Sequence, residues 1–303
     1  MLLNETYTLA NGVAIPKIGL GTWEIPNENA AQAVRDAVAA GYRHIDTAWG
    51  YGNEKGVGEG IRTCGVPRGE LFVTTKLHAD FKSYESAKKG IEESFENLGL
   101  EYIDLMLIHA PQPWNAFREG EHYYDENLTV WHLMEEYYKA GKFRAIGVSN
   151  FEKEDLENLI VNAEIKPMVN QVLCHISNTP SQIIEYSQSQ GLLVEAYSPI
   201  GHGAMMKSAG VQEVAEKYGV SVPQLCIRYC LQLGLLPIPK TANPEHMKSN
   251  ADVDGFVISD EDMELLKNVP TITNYGDAAI FPVFGGKMAE DGSCEARDFV
   301  KRN

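Results

Sequence analysis

A (β/α)8 barrel of the TIM type is the fold that this 303-residue chain predicts, and three observations predict it. Apolar runs with strand character alternate with amphipathic segments along the chain, the pattern of a parallel sheet covered on both faces. The runs number eight, which at this length favours a closed barrel over an open doubly wound sheet. The Gly-rich dinucleotide fingerprint that an open sheet often carries after its first strand is missing: Gly19-Leu-Gly21-Thr-Trp23 lacks the third glycine at the right place.

Residues 7–15 read as two extended segments joined by Asn11-Gly12, a two-residue hairpin signal. Strand-like runs follow at 18–23, 44–48, 71–77, 103–109, 143–149, 167–173, 192–198 and 235–240. Amphipathic segments lie between them at 29–40, 53–63, 83–98, 130–140, 153–162, 181–190 and 211–233, the last with a break near Val220. A helix at 245–251 follows the last strand and another is expected at 260–268. The second helix begins near Asn53, an N-cap residue type, with Glu54 in its first turn. The glycine- and aromatic-bearing stretch 271–291 is too long for a connector. It reads as a C-terminal substrate loop whose Tyr275, Phe281 and Phe284 either cover a pocket or pack on the surface. No linker or low-complexity stretch divides the chain, so residues 1–303 are expected to form one barrel domain.

A hydrophobic content of 44% with 22% charged residues is that of a globular protein with a real core. The net charge of −16, from 26 basic and 42 acidic residues, disfavours nucleic acid and anionic membrane as partners. It leaves room for a phosphate-bearing cofactor in a local positive pocket. No apolar stretch approaches the ~20 residues of a membrane helix, and residues 1–11 carry no signal-peptide pattern. A cytoplasmic protein, monomeric or weakly self-associating, is expected. Five cysteines are scattered, and only Cys226 and Cys230 are close, at the i,i+4 spacing of a buried helix face.

Barrels of this kind collect their chemistry at the C-terminal ends of the strands. Those ends read Thr22 and Trp23; Asp46, followed by Trp49 and Tyr51; Lys76; His109; Ser149 and Asn150; Asn170 and Gln171; Tyr197 and Ser198; Lys240 and Thr241. Capping explains one or two such polar groups, but not a polar end on nearly every strand. Asp46, Tyr51, Lys76 and His109 form a chemically coherent set. A phenol ionises near pH ~10, and a neighbouring ammonium draws it toward neutrality. An aspartate keeps a buried lysine charged, and a histidine across the pocket orients a carbonyl oxygen. Such a set protonates a carbonyl while a nicotinamide cofactor supplies hydride.

The motifs Gly41-Tyr-Arg-His-Ile-Asp-Thr-Ala, Tyr51-Gly-Asn-Glu, Thr75-Lys76, Leu107-Ile-His109, Gly147-Val-Ser-Asn-Phe151, Asn170-Gln171, Ala196-Tyr-Ser-Pro199 and Ile238-Pro-Lys240 occur in this order. Over essentially its full length the sequence resembles the aldo-keto reductase superfamily, in the branch of aldose reductase and bacterial diketogluconate reductase. The resemblance implies a barrel closed below by the N-terminal hairpin and NADPH-dependent reduction of an aldehyde or ketone. It implies Tyr51 as general acid, Lys76 and Asp46 tuning it, and His109 orienting the carbonyl. It further implies cofactor contacts from Gly21, Thr22, Trp23 and Asp46, from Ser149, Asn150 and Gln171 at the carboxamide, and from Tyr197 stacked on the nicotinamide. Ser198, Ile200 and Gly201 would follow the pyrophosphate, with Lys240, Thr241, His246 and Asn250 near the adenosine end.

The chain departs from the family pattern at His246, where many relatives carry an arginine on the 2′-phosphate, and at Ser249, which replaces a glutamate. Lys240 and Thr241 keep NADPH favoured, with NADH or dual use as the alternative. His78 and Ala110 stand where aromatic walls are common in the family. The candidate substrate-binding residues are therefore Trp23, Trp49, Tyr51, His78, His109 and Trp114. The expected substrate is a small polar carbonyl compound, hydroxylated or carboxylated. Trp49 filling the vacated space is the competing reading. Two rival functions remain at this point. One is a metal-dependent barrel hydrolase using His44, Asp46, His109 and His175. The other is a non-catalytic nucleotide-binding barrel subunit. No metal is assigned.

Overall fold

The computed structural model describes residues 1–288 together with 294 and 295. At its start β1 (Thr6–Thr8) and β2 (Ala14–Pro16) pair antiparallel, with Tyr7 opposite Ile15. The connecting loop has three residues rather than two: the Leu9 N–H reaches Val13 O and the Gly12 N–H reaches Leu9 O at 2.8 Å. Gly12 closes it at φ +86°, a conformation open to glycine at little cost. Leu9 and Ile15 pack against Phe72, Leu105, Met168 and Leu236, so the hairpin plugs the N-terminal end of the barrel.

The barrel strands are β3 (Leu20–Gly21), β4 (His44–Asp46), β5 (Phe72–Leu77), β6 (Ile103–Ile108), β7 (Phe143–Ser149), β8 (Val169–Leu173), β9 (Leu193–Tyr197) and β10 (Leu236–Ile238). Each pairs parallel with its neighbour in chain order. The Gly19 N–H reaches Pro237 O at 3.2 Å, and the Gly21 N–H reaches Pro239 O at 3.1 Å, closing β3 onto β10. The two seam strands are shorter than the runs at 18–23 and 235–240 promised, for a chemical reason. Pro237 and Pro239 have no N–H and cannot donate across this seam, which leaves the Gly19 and Gly21 bonds and one parallel bridge between Gly21 and Lys240. A Cβ on Gly21 would come within 3.0 Å of Ile238 O, which explains a glycine at this close approach.

The covering helices are α1 (Asn27–Ala39), α2 (Glu54–Thr63), α3 (Tyr84–Leu98), α4 (Tyr124–Lys139), α5 (Lys153–Asn162), α6 (Ser181–Ser189), α7 (Ala209–Tyr218), α8 (Val222–Gln232), α9 (Pro244–Ala251) and α10 (Asp260–Lys267). Ile45, Val73, Met106 and Val148 of the sheet pack against Val34, Ile91, Trp131 and Leu156 of the helices. The break near Val220 is real: Gly219 ends α7 at φ +66°, and the Ser221 side chain caps α8 by accepting from the Gln224 N–H. Cys226 and Cys230 are buried on α8, as their spacing required. Helix α4 begins well before the expected 130. Its first turn, Tyr124-Asp-Glu-Asn, is polar and invisible to apolar periodicity, yet Asp125 and Glu126 suit a helix N-terminus.

Beyond α10 the chain makes single turns at Gly276–Ile280 and Pro282–Phe284. Tyr275 and Phe284 there pack against Trp23 and Tyr197 at the C-terminal mouth of the barrel. Lys287–Met288 then pairs with Cys294–Glu295. The last three positions of the stretch 271–291 and the end of the expected 1–303 domain lie outside the described residues. Among the described residues, no helix is long and apolar enough to cross a membrane.

Candidate active site

Tyr51 sits on the loop that leaves β4, and the residues after it hold that loop rigid. Asn53 occupies the N-cap position of α2 but makes no capping bond. Its Nδ2 instead donates to Thr22 O (2.8 Å) and Ile25 O (3.0 Å), and its Oδ1 accepts from the Thr47 hydroxyl (2.8 Å). Glu54, buried in the first helical turn, accepts from Thr75 Oγ1 at 2.7 Å. These two residues tie the Tyr51 loop to three strand ends.

Asp46 and Lys76 end adjacent strands and point into the barrel mouth. Lys76 Nζ, fully buried, donates to Asp46 Oδ1 (2.6 Å), Thr47 O (2.9 Å) and the Tyr51 hydroxyl (3.2 Å). Burial alone would strip Lys76 of its proton, but Asp46 and Tyr51 outweigh it and hold the ammonium charged. Burial pushes Asp46 up, against Lys76 and Gln171, which pull it down. The short Lys76–Asp46 contact decides for an intact ion pair. Tyr51 departs from the sequence expectation. Burial raises its phenol above the ordinary value, and the downward pull of Lys76 does not overcome it. The phenol therefore keeps its proton at neutral pH. The His109 ring lies edge-on to Tyr51 at 5.6 Å. Burial, then Lys76 and His78, hold His109 well below the usual histidine range, so it is neutral. Its buried Nδ1 has no partner, and an unpaired lone pair costs less there than an unpaired N–H. The proton therefore sits on Nε2.

Around this quartet lies a cleft of about 460 Å³, inside the usual range for ligand sites. Its walls include Gly21, Trp23, Asp46, Tyr51, His78, His109 and Trp114. Ser149, Asn150, Gln171 and Tyr197 form another side, and Ser198, Ile200 and Lys240 extend it toward α9. Tyr197 donates its hydroxyl to Asn150 Oδ1 at 2.8 Å, fixing ring and amide together. Lys240 is exposed and makes no hydrogen bond or ion pair among the described residues. A row of amide and hydroxyl groups leading to an unpaired ammonium fits a dinucleotide with its carboxamide at Asn150 and its phosphates toward Lys240.

Several sequence candidates fall elsewhere. Trp49 is not part of the wall: its indole N–H bonds Glu93 Oε2 at 2.9 Å, and its ring packs on His78 and Phe81. Thr22 is buried with its hydroxyl on Asp46 O. Gly201, Thr241, His246 and Asn250 lie outside the lining. Thr241 Oγ1 accepts from the Asn243 N–H, His246 is exposed on α9, and Asn250 is buried there. The metal-site candidates do not converge. His44 is buried on Thr74 Oγ1 (2.9 Å) and His175 on the Tyr275 hydroxyl (3.0 Å), and neither lines the cleft.

A profile of the aldo/keto reductase family matches residues 17–270. The chain belongs to the aldo/keto reductase family. It is 43% identical to a glyoxal reductase of Bacillus subtilis (strain 168) over 263 residues, 86% of this chain and 91% of that one. It is 41% identical to a 9,11-endoperoxide prostaglandin H2 reductase of Trypanosoma cruzi, over 84% of this chain and 88% of the relative. Among solved structures, a Bombyx mori aldo-keto reductase in complex with NADP superposes with a TM-score of 0.79 at 33% identity, covering 91% of this chain and 95% of that one. As an aldo/keto reductase the chain is an oxidoreductase that acts on carbonyl groups with a nicotinamide cofactor.

Some residues of this reductase site escaped the sequence reading. Glu24, Gly50, His202, Pro282 and Val283 also line the cleft, beside the Phe281 and Phe284 that the sequence offered as a cover, and Glu195 lies buried next to it. Gln171 Nε2 donates both to Asp46 Oδ2 (2.9 Å) and to Glu195 Oε2 (2.7 Å), while Glu195 Oε1 has no partner. The available signal was an acid inside the apolar run Leu192-Leu-Val-Glu-Ala-Tyr. Burial first, then the nearby Asp46, push this carboxyl up to about 8. An unfolded glutamate ionises near ~4.3. Between those two values the unfolded chain has released the proton and the folded chain keeps it, so stability falls as pH rises across the window and levels off above it. Glu195→Gln is expected to stabilise the fold at pH 8 by an amount on the order of a few kcal/mol, and much less near pH 5. Urea unfolding at the two pH values reads this; an equal effect at both contradicts the buried neutral acid.

Proposed function

We propose that this chain reduces a small aldehyde or ketone to the alcohol, with NADPH as cofactor and the Tyr51 hydroxyl as proton donor. The observation that carries the reading is Lys76 Nζ, bonded at once to Asp46 and to the Tyr51 hydroxyl, behind a cleft that Asp46, Tyr51 and His109 line. Bound NADPH supplies the hydride. Everything else is done by the chain's own groups. His109 Nε2–H and the Tyr51 hydroxyl converge on the carbonyl oxygen and polarise it. As charge develops on that oxygen, Tyr51 gives up its proton, and the Lys76 ammonium stabilises the phenolate left behind. Asp46, held by Gln171, keeps Lys76 charged and in place. Ser149, Asn150 and Gln171 bind the carboxamide, and Tyr197 supports the nicotinamide ring.

The pocket wall supports a small substrate. Trp23, Trp114 and Phe281 narrow it, His78 adds a polar group, and Trp49 backs His78 instead of facing in. Glu24 on the wall and the net charge of −16 favour a hydroxylated or dicarbonyl compound over a carboxylated one. The glyoxal reductase among the relatives, named for a small dicarbonyl, agrees with that size class. The enzyme works in the cytoplasm as one barrel unit, monomeric or weakly associated. Rates on glyceraldehyde-type compounds are expected to exceed those on bulky aromatic aldehydes, and a clear aromatic preference refutes the pocket reading. Activity that survives chelation separates this reductase from a metal-dependent hydrolase.

The preference for NADPH rests on Lys240, with Thr241 and His246 beside the N-terminus of α9. One ammonium–phosphate contact contributes about 1.5–3 kcal/mol, or roughly 10- to 100-fold in affinity. Lys240→Met is therefore expected to weaken NADPH binding by that factor and NADH binding much less, read by fluorescence titration. Equal losses for both cofactors would move Lys240 off the 2′-phosphate.

A further inference from the structure

Two histidines stand side by side at the cleft, and the reduction described above uses one of them. Leu77 is the last residue of β5 to pair with β6, opposite Ile108, and the His109 N–H reaches Leu77 O at 3.1 Å. His78 and His109 are therefore the next positions on adjacent parallel strands, which run about 4.8 Å apart. Side chains alternate along a strand. Lys76 points into the barrel mouth, Leu77 packs into the helix layer, and His78 turns back over the mouth, where it lines the cleft with His109.

The chain holds the His78 ring in one orientation. Trp49 meets it edge-on at 5.2 Å and Phe81 packs on it at 5.5 Å. Its Nδ1 accepts from the Asp80 N–H at 3.4 Å. The Asp80 carboxylate takes no proton from the ring: Oδ1 accepts from the Trp114 N–H at 2.8 Å, and Oδ2 stands 3.7 Å from Nδ1, beyond hydrogen-bond reach. Burial holds the ring below the usual histidine range against the pull of Asp80, so it is neutral and carries one N–H. With Nδ1 accepting, that N–H is at Nε2. Nε2 has no protein partner among the described residues, and it is not sealed in the core. It faces Gly50, the cleft residue next to Tyr51, where an added Cβ would come within 3.0 Å of His78 Cδ2 and 3.6 Å of Nε2. Glycine at this position leaves that edge of the ring open to whatever fills the cleft.

We propose that His78 sets the specificity of this reductase for α-hydroxy aldehydes and α-dicarbonyls, by donating its Nε2–H to the oxygen on the carbon next to the reacting carbonyl. The inference rests on the reductase reading above, in which the reacting oxygen lies between Tyr51 and His109. His78 stands between the same two groups: its strand neighbour is His109, and its open edge faces the residue before Tyr51. An oxygen one carbon away from the reacting one is the substrate group that this donor meets. A donor desolvated against a methyl group loses more than a paired one gains, so a substrate with carbon at that place is penalised. Asp80 behind the ring and Glu24 on the wall limit the preference to uncharged oxygens, because both repel a carboxylate.

The test compares glycolaldehyde with propanal, which differ by a hydroxyl in place of a methyl, on the full-length protein with saturating NADPH. The quantity read is the ratio of kcat/KM for the two aldehydes. Hydration of each aldehyde in water is the same for every variant and cancels when variants are compared. His78→Phe keeps a ring and removes the donor. It is expected to lower the ratio about three- to tenfold, the size of one neutral hydrogen bond, whatever it does to either rate alone. His78→Gln restores an N–H donor and is expected to recover part of the ratio, which a general loss of packing would not allow. Where NADPH titration and thermal melting show His78→Phe to be unfolded, His78→Met carries the same expectation. A ratio unchanged in the folded donor-free variant assigns the second oxygen to another wall group, such as the Trp114 indole, and overturns the proposal. A wild-type protein that reduces neither aldehyde, nor any member of a carbonyl panel, refutes the reductase reading instead.

Discussion

Tyr51→Phe is expected to bind NADPH with wild-type affinity and to reduce carbonyl substrates about 10²–10⁴-fold more slowly, the range for loss of a positioned general acid. The loss falls on kcat because the phenol proton is needed as hydride arrives, when the carbonyl oxygen becomes an alkoxide. No other group in the cleft replaces it. Lys76 lies behind Tyr51 with its three hydrogen bonds directed to Asp46, Thr47 and Tyr51. His109 is neutral and can polarise the oxygen, but protonating it fully would leave an imidazolate-like ring in a buried site. The substitution removes one oxygen from a loop still held by Asn53 and Glu54, so thermal stability should change little. Stopped-flow measurement of cofactor absorbance, with NADPH preloaded, separates binding from chemistry. Turnover within tenfold of wild type would mean that another acid is at work.

Lys76→Met should be more damaging, because it affects both fold and chemistry. The side chain it removes is fully buried and is the cationic partner of Asp46. An uncompensated buried carboxylate costs about 3–5 kcal/mol, and Asp46 would respond by taking up a proton as its pKa rises further. Activity should fall at least as far as in Tyr51→Phe, since the phenolate formed on proton transfer loses its counter-ion. Adding Asp46→Asn to Lys76→Met should restore much of the stability and none of the activity. That split, read by denaturant unfolding against kcat, distinguishes an electrostatic role from simple packing. Recovery of both together would assign Lys76 a structural role alone.

The strand ends were legible because barrels place chemistry there and because polar groups inside apolar runs are costly unless partnered. Asp46, Lys76 and His109 each announced themselves as a polar end to a hydrophobic strand, and the structure brings them together with Tyr51. What stayed hidden is what depends on direction rather than position. Trp49 lies two residues from Tyr51, yet its indole turns outward to Glu93 on α3, a partner 44 residues away. Asn53 looked like a cap and proved to be a tether between two loops, a choice that only the packed carbonyls of Thr22 and Ile25 determine. The rise of the Tyr51 phenol reflects the depth of burial, which no spacing of residues encodes. His202 falls in a run of glycines that reads as a plain turn, and its aromatic neighbours come from opposite ends of the chain.

The pH dependence of the reaction in both directions tests the central claim most directly. If the buried phenol of Tyr51 is the proton carrier, carbonyl reduction holds across neutral pH and declines only at alkaline pH, as the proton is lost. Oxidation of the alcohol needs the phenolate and should climb by up to about tenfold per pH unit over the same range. Tyr51→Phe should abolish the climb. A climb in oxidation rate that survives in Tyr51→Phe would contradict the account.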